Sequence, residues 1–309
     1  GKHALYNNTA DNNTAVGRST LNQNTTGTGN TAVGTNALDA LTTANGNTAV
    51  GVDALGACVT GAINTAVGRD AGQNLTGDSN TLIGESAGEE ITSGRRNTVL
   101  GRFNGNQDGL DIRTSNNYIV LSDGSGNPRA VVDTGGNLLV GKTATGANNT
   151  GVQLESQGVV VSTRDGGSTA IFNRKTSTGT VVEFRKDNVG VGTISVTGSA
   201  TAYNTSSDYR LKENVVDMTG AADRVQQLAP KRFNFIADAD TTVDGFLAHE
   251  VQDIVPEAIT GAKDAVDADG NPEYQGIDQS KLVPLLTAAL QEALTKIDAL
   301  ETRIVALEA

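Results

Sequence analysis

Apolar pairs closed by a glycine recur through the first third of the chain. Asn-Thr-Ala-Val-Gly stands at 13–17, 30–34, 47–51 and 64–68, with variants Asn80-Thr-Leu-Ile-Gly84 and Asn97-Thr-Val-Leu-Gly101. The closing glycines, Gly17, Gly34, Gly51, Gly68, Gly84 and Gly101, are 17, 17, 17, 16 and 17 residues apart. Gly1 lies 16 residues before Gly17, and an Ala-Leu pair follows Gly1, Gly34 and Gly51 at a fixed offset. A period this short, with one brief strand per repeat, predicts a β-solenoid or β-roll over residues 1–122. Alternate strand residues face inward, and Val50 is expected to be one of them, with Gly51 at a corner. The motif asparagines and glycines are expected to supply the left-handed corner conformations, and the Ala-Leu pair a second inward contact. Each repeat buries so little apolar area that the coil is expected to pack against copies of itself.

The period breaks after Asn117-Tyr-Ile-Val-Leu-Ser122, and Asp123-Gly-Ser-Gly-Asn-Pro128 reads as a turn. Short β-runs follow at 130–132, 138–140, 159–162, 170–172, 181–184 and 194–196, with Gly, Asp and Asn between them. Many short strands without a helix predict a β-rich stem or knob over residues 123–207. Gly190-Val-Gly192 lacks the βαβ setting of a dinucleotide fingerprint. The Asn-x-Thr triplets read as turn asparagines, and Arg164-Asp165-Gly166 as a turn.

The last stretch changes period. Val283, Leu286, Leu290, Ala293, Ile297, Leu300, Ile304 and Leu307 alternate by three and four, an a/d seam over about 282–308. In that frame Lys296 and Arg303 are g positions, and Glu301 and Glu308 the e positions that meet them on a parallel partner. The seam therefore predicts a parallel, in-register coiled coil. Ile at a with Leu at d mildly favours two strands.

Composition narrows the class. With 37 Gly, no Trp and 4% aromatic residues, the chain has little material for one large globular core. A net charge of −12 disfavours nucleic acid and anionic membranes as partners, and no run is apolar enough to insert in a bilayer. The single cysteine, Cys58, excludes an intrachain disulfide and reads as a reduced interior thiol. The chain opens inside a repeat, so it is expected to be the C-terminal piece of something longer. No metal or cofactor is expected: His249-Glu250 has no second histidine at zinc-protease spacing, and Asp267-Ala-Asp-Gly270 reads as a hairpin turn.

The chemistry sits between the two halves, at Thr205-Ser-Ser-Asp-Tyr-Arg-Leu-Lys-Glu-Asn214. Ser207 and Lys212 are five positions apart, and a neutral lysine amine can deprotonate a serine hydroxyl without histidine. A helix would set the two about 140° apart, and a strand would put them on opposite faces. The segment must turn, or a second chain must supply one partner. Burial and the nearby Arg210 would favour the neutral amine, and Glu213 would oppose it.

These residues carry a resemblance. The segment 203–215, then Leu228-Ala-Pro-Lys-Arg-Phe-Asn-Phe235, Gly245-Phe-Leu-Ala-His-Glu-Val251 and the run from Tyr274 to Leu286 resemble, in order, the endosialidase-type intramolecular chaperone domain. That domain is a self-cleaving serine–lysine peptidase at the end of phage tail fibres and tailspikes. The first repeats resemble the head domains of trimeric autotransporter adhesins.

The resemblance implies cleavage at Ser207–Asp208, Ser207 and Lys212 as the catalytic dyad, and Asp208, Arg210, Glu213 and Asn214 as supporting residues. It implies a single-turnover reaction and a homotrimer. The expected fold is mainly β: homotrimeric solenoid repeats, a β-rich stem, and a small α+β chaperone domain over 208–309 ending in the coil. The expected function is a structural tail fibre or tailspike in the virion tail, attaching to a host-surface glycan or protein. Other tail proteins would bind through a region upstream. The alternatives are a bacterial trimeric surface adhesin and the end of a glycan-degrading tailspike with its catalytic domain upstream. Within one chain, own-carbonyl attack by Ser207 needs a four-membered ring, whereas attack on the Ser206 carbonyl needs a five-membered one. Cleavage after Ser207 therefore needs a water or another chain's serine.

Overall fold

The computed structural model describes residues 1–308. They divide into two compact units: Gly1–Phe184 with Thr193–Tyr203, and Arg185–Gly192 with the chain from Asn204 on.

The first unit begins as a solenoid. Its strands are β1 (Thr14–Val16), β2 (Thr31–Val33), β3 (Thr48–Val50), β4 (Thr65–Val67), β5 (Thr81–Ile83) and β6 (Thr98–Leu100). They stack parallel and in register, Thr on Thr and Ala on Ala through β4. A two-stranded hairpin, β7 (Asn106–Gln107) and β8 (Leu110–Asp111), interrupts the seventh turn before β9 (Ile119–Ser122) rejoins the ladder on β6. The sheet then continues past residue 122 without a break, now antiparallel, through β10 (Pro128–Val132), β11 (Leu138–Val140), β12 (Gly151–Leu154) and β13 (Val160–Thr163). It has eleven strands in all. The predicted turn at 123–128 is the first hairpin: Asp123 accepts the Ser125 and Asn127 N–H groups on Oδ1 at 2.9 and 3.0 Å.

The solenoid interior is narrow, and that reverses one expectation. Val50 is 36% exposed, while Ala49 beside it is fully buried. A three-residue strand turns either its middle residue or its two end residues inward, and here the middle residue faces in. The interior is already filled by Leu38, Leu55, Leu41, Cys58 and the Ala37 and Ala54 slots, all fully buried. Only alanine fits opposite them. Where β5 places Leu82 inward instead, the leucine slots become Gly72 and Gly88, at which an added Cβ would lie 2.8 Å from Leu82.

The motif asparagines are not corner residues as expected. Asn30, Asn47, Asn64, Asn80 and Asn97 are buried and form a ladder. Each Oδ1 accepts the backbone N–H one turn on: Asn47 to Asn30 at 3.0 Å, Asn64 to Asn47 at 2.9 Å, Asn80 to Asn64 at 2.8 Å. Each amide nitrogen donates to a carbonyl of the next turn, as Asn64 does to Gly77 at 2.9 Å. Left-handed backbone falls on the motif glycine, the residue two after it and the residue four after it: Gly51 (φ 140°), Asp53 (φ 56°) and Leu55 (φ 51°). A Cβ at Gly51 would meet the Gly68 carbonyl at 2.3 Å, so the corner admits glycine alone.

The expected strand at 170–172 does not form. Ile171 and Phe172 are 82% and 67% exposed and lie in irregular chain with no ladder partner. Strands β14 (Gly179–Lys186), β15 (Val189–Val196) and β16 (Thr201–Thr205) form a three-stranded sheet that supplies residues to both units.

The second unit is small and α+β. After α1 (Ala221–Gln227) come the hairpin β17 (Lys231–Phe235) and β18 (Asp238–Gly245), then α2 (Ala248–Gln252). The short pair β19 (Ile259–Thr260) and β20 (Gly276–Ile277) leads into α3 (Leu282–Glu308). Its core is Ala221, Val251, Val255, Ala258, Leu282, Leu285 and Ala289. Glu292 of α3 accepts the Ala221 and Ala222 N–H groups, both at 2.9 Å, capping α1 from another element. The turn at Asp267 forms as read, with Oδ1 accepting from Asp269 and Asn271.

Helix α3 has two apolar stripes. Leu282, Leu285 and Ala289 are buried in the unit's own core. The a/d residues lie on a neighbouring face and are open: Leu290 is 61% exposed, Ile297 49%, Leu300 55% and Ile304 52%.

Candidate functional site

Ser206 and Ser207 follow directly on β16. The Ser206 N–H donates to the Val191 carbonyl at 3.2 Å, and its hydroxyl to the Gly190 carbonyl at 3.5 Å. The chain is thus tied to β15 up to the residue before Ser207.

Asp208 then starts a single 3-10 turn, Tyr209–Leu211. Its Oδ1 accepts the Arg210 N–H at 2.9 Å, a side-chain cap. The Arg210 guanidinium closes back on the same carboxylate, Nε to Oδ1 at 3.0 Å and Nη2 to Oδ2 at 2.7 Å. The Lys212 N–H donates to the Tyr209 carbonyl at 3.1 Å, after which the backbone is extended again. This turn resolves the spacing problem within one chain: Lys212 Nζ donates to Ser207 Oγ at 2.8 Å. For the lysine to act as base, the same bond must run the other way, from the hydroxyl to a neutral amine.

Electrostatics differ from the expectation in two respects. Lys212 is exposed, as is every residue from 201 to 220, so burial does not desolvate it in the single chain. Arg210 is engaged by Asp208. Its guanidinium, through hydrogen bonds first, holds the Asp208 carboxyl below the usual range, with Lys212 adding a smaller attraction. Glu213 is exposed, and Asn214 takes a left-handed φ of 53° where the turn ends. Among the described residues neither is hydrogen-bonded to Ser207 or Lys212.

The remaining residues with possible chemistry stand apart from this site. Cys58 is buried, and burial pushes its thiol up to about 11. It fills the core slot that Leu41 and Leu75 fill one turn away. No cluster of three metal-ligating side chains occurs among the described residues, and no helix there is long and apolar enough to cross a membrane.

No curated protein matches the chain. Residues 207–260 match the model of a peptidase family described as the chaperone of endosialidase. The match begins on Ser207 itself and takes in Lys212, the β17–β18 hairpin and α2. Residues 207–260 of this chain are therefore matched to a chaperone domain of the endosialidase type.

Proposed function

We propose that this chain is the C-terminal region of a phage tail fibre or tailspike, and that its chaperone domain assembles three copies and is then cut off by the chain's own Ser207 and Lys212. The observation that carries the reading is the 2.8 Å bond between Lys212 Nζ and Ser207 Oγ, placed where the family match begins. The seam of α3 aligns the copies in parallel. Stacked and intertwined β-structure has high contact order and open strand edges while it folds, so early registration shortens a slow, aggregation-exposed search. Cutting the registration device off afterwards removes the route back and leaves the fibre kinetically trapped.

In the cut, neutral Lys212 takes the proton of the oxygen that bonds to the Ser207 carbonyl carbon and returns it to the Asp208 nitrogen as the peptide bond breaks; where that oxygen is a serine's, water then hydrolyses the ester. The Ser207 carbonyl is out of reach of its own hydroxyl, so at Ser207–Asp208 that oxygen belongs to a second copy's Ser207 or to a water. Trimerisation would also cover Lys212, which the single chain leaves in solvent, and desolvation favours the neutral amine. Residues before the cut remain in the virion tail and meet a glycan or protein of the host surface. Ser207→Ala and Lys212→Ala are expected to leave the chain whole yet still trimeric on gels and light scattering. Lys212→Arg is expected to be equally inert, since a guanidinium stays protonated. Cleavage that survives Lys212→Arg would remove the lysine from the reaction.

A further inference from the structure

If α3 leaves with the cut piece, something else must hold the remaining chains together. The eleven-stranded sheet has one face turned into its own core, along Ala32, Ala49, Ala66, Leu82, Val99, Val120, Val131 and Leu139, all buried. Its other face is two rows wide. The ladder registers put Val16, Val33, Val50, Val67, Ile83, Leu100, Leu121, Ala130, Val140, Val152 and Ser162 in one row. The same registers put six threonines in the other row, from Thr14 to Thr98, followed by Ile119, Val132, Leu138, Leu154 and Val160.

Neither row holds a charged residue, in a chain of which 19% is charged. The charges stand at the edge, where Glu85 pairs with Arg69 and with Arg102. Many of the apolar members are open, Val16 58%, Leu121 44%, Leu154 42% and Val160 67% exposed, while Val33, Val67, Val132 and Leu138 are half-buried. Together the two rows make a mostly apolar strip two residues wide and eleven strands long, at roughly 4.8 Å per strand, more continuous than the small patches an ordinary monomer exposes. An uncharged centre with a charged rim is the anatomy of a protein–protein contact.

We propose that this outward face is where copies of the chain pack on one another, and that it holds the fibre together after the chaperone domain is released. The occupant follows from the period. The face repeats once per strand, about every 4.8 Å, and a second copy in parallel register presents the same rows at the same heights. The parallel seam of α3, an independent stripe, calls for that register. This rests on the reading above that the C-terminal piece is cut away.

The test separates the two readings. Val67→Lys with Leu121→Lys places two charges on the face while leaving the buried rows and α3 untouched. Wild-type chain, cut, is expected to keep residues 1–207 as a trimer by light scattering. The double variant is expected to be trimeric uncut, and once cut its residues 1–207 are expected to fall to one third of the mass that the cut wild-type fragment keeps. A wild-type cut fragment that is monomeric, or a double variant that stays trimeric after the cut, overturns the proposal. If the chain does not cut itself, the release reading fails by itself, and the face is tested in the whole chain carrying Ile297→Lys and Ile304→Lys. Continued association of that chain, lost on adding Val67→Lys and Leu121→Lys, supports the face; a monomer before that addition assigns the face to some other partner and overturns the proposal.

Discussion

Asp208 holds more of the candidate site than Ser207 or Lys212 does. Its carboxylate caps the turn and clasps Arg210, and the turn is what carries Lys212 to Ser207. Asp208→Ala removes cap and clasp together and is expected to slow cleavage about tenfold or more. Asp208→Asn keeps an acceptor for the Arg210 N–H and should slow it less, as read by the uncut fraction over time. The pH dependence has a defined sign. A carboxyl whose folded pKa is depressed contributes its stabilisation above its unfolded pKa, near 4, and loses it as pH falls through the depressed value. The turn is thus intact at neutral pH and opens in acid, so the Asp208-dependent part of the rate is expected to fade below about pH 4. A rate equally sensitive to acid in Asp208→Asn would dismiss this role. Ser207 and Lys212 could be singled out in the sequence because a motif places them, and the structure brings their side chains together. The clasp was not, because Arg210 could as well have faced Lys212, and only the turn geometry chooses between the two.

At the scale of the element, the repeat period and the glycine corners were plain in the sequence, while the facing of the strand was not. In a three-residue strand both parities satisfy alternation, and apolarity alone favours Val50 as the inward residue. The deciding factor is volume across the coil: Leu38 and Leu55 leave room for alanine only, and the Leu82–Gly72–Gly88 exchange shows the same constraint from the other side. The asparagine ladder was hidden for a related reason, since asparagine is common at turns and its buried use depends on the carbonyl one turn away. Asn64→Ala strips the Asn80 N–H and the Gly77 carbonyl of their partners inside the coil. It is expected to cost about 2–4 kcal/mol, seen as a lower melting temperature of the protein. Gly51→Ala puts a Cβ 2.3 Å from a backbone oxygen at a φ of 140° and is expected to prevent the coil from forming. A variant that melts like wild type would mean the corner is looser than this packing allows.

At the scale of the whole molecule, the chain pairs a solenoid whose inner volume is small with a helix whose a/d stripe has no partner in its own chain. Both features leave apolar surface open in the single copy, and the proposed parallel assembly would cover both. The uncut Ser207→Ala chain is expected to scatter light as three times the 31.7 kDa chain mass, and a monomer would end the assembly account. The cut itself is the central claim, and intact mass spectrometry of purified wild-type protein, with no added protease or metal, tests it most directly. The expected result is two species joined at Ser207–Asp208, of 207 and 102 residues, the second being 309 − 207, formed at a rate that does not change when assembled protein is diluted. A single mass for the whole chain, or a cut at a distant bond, would contradict the account.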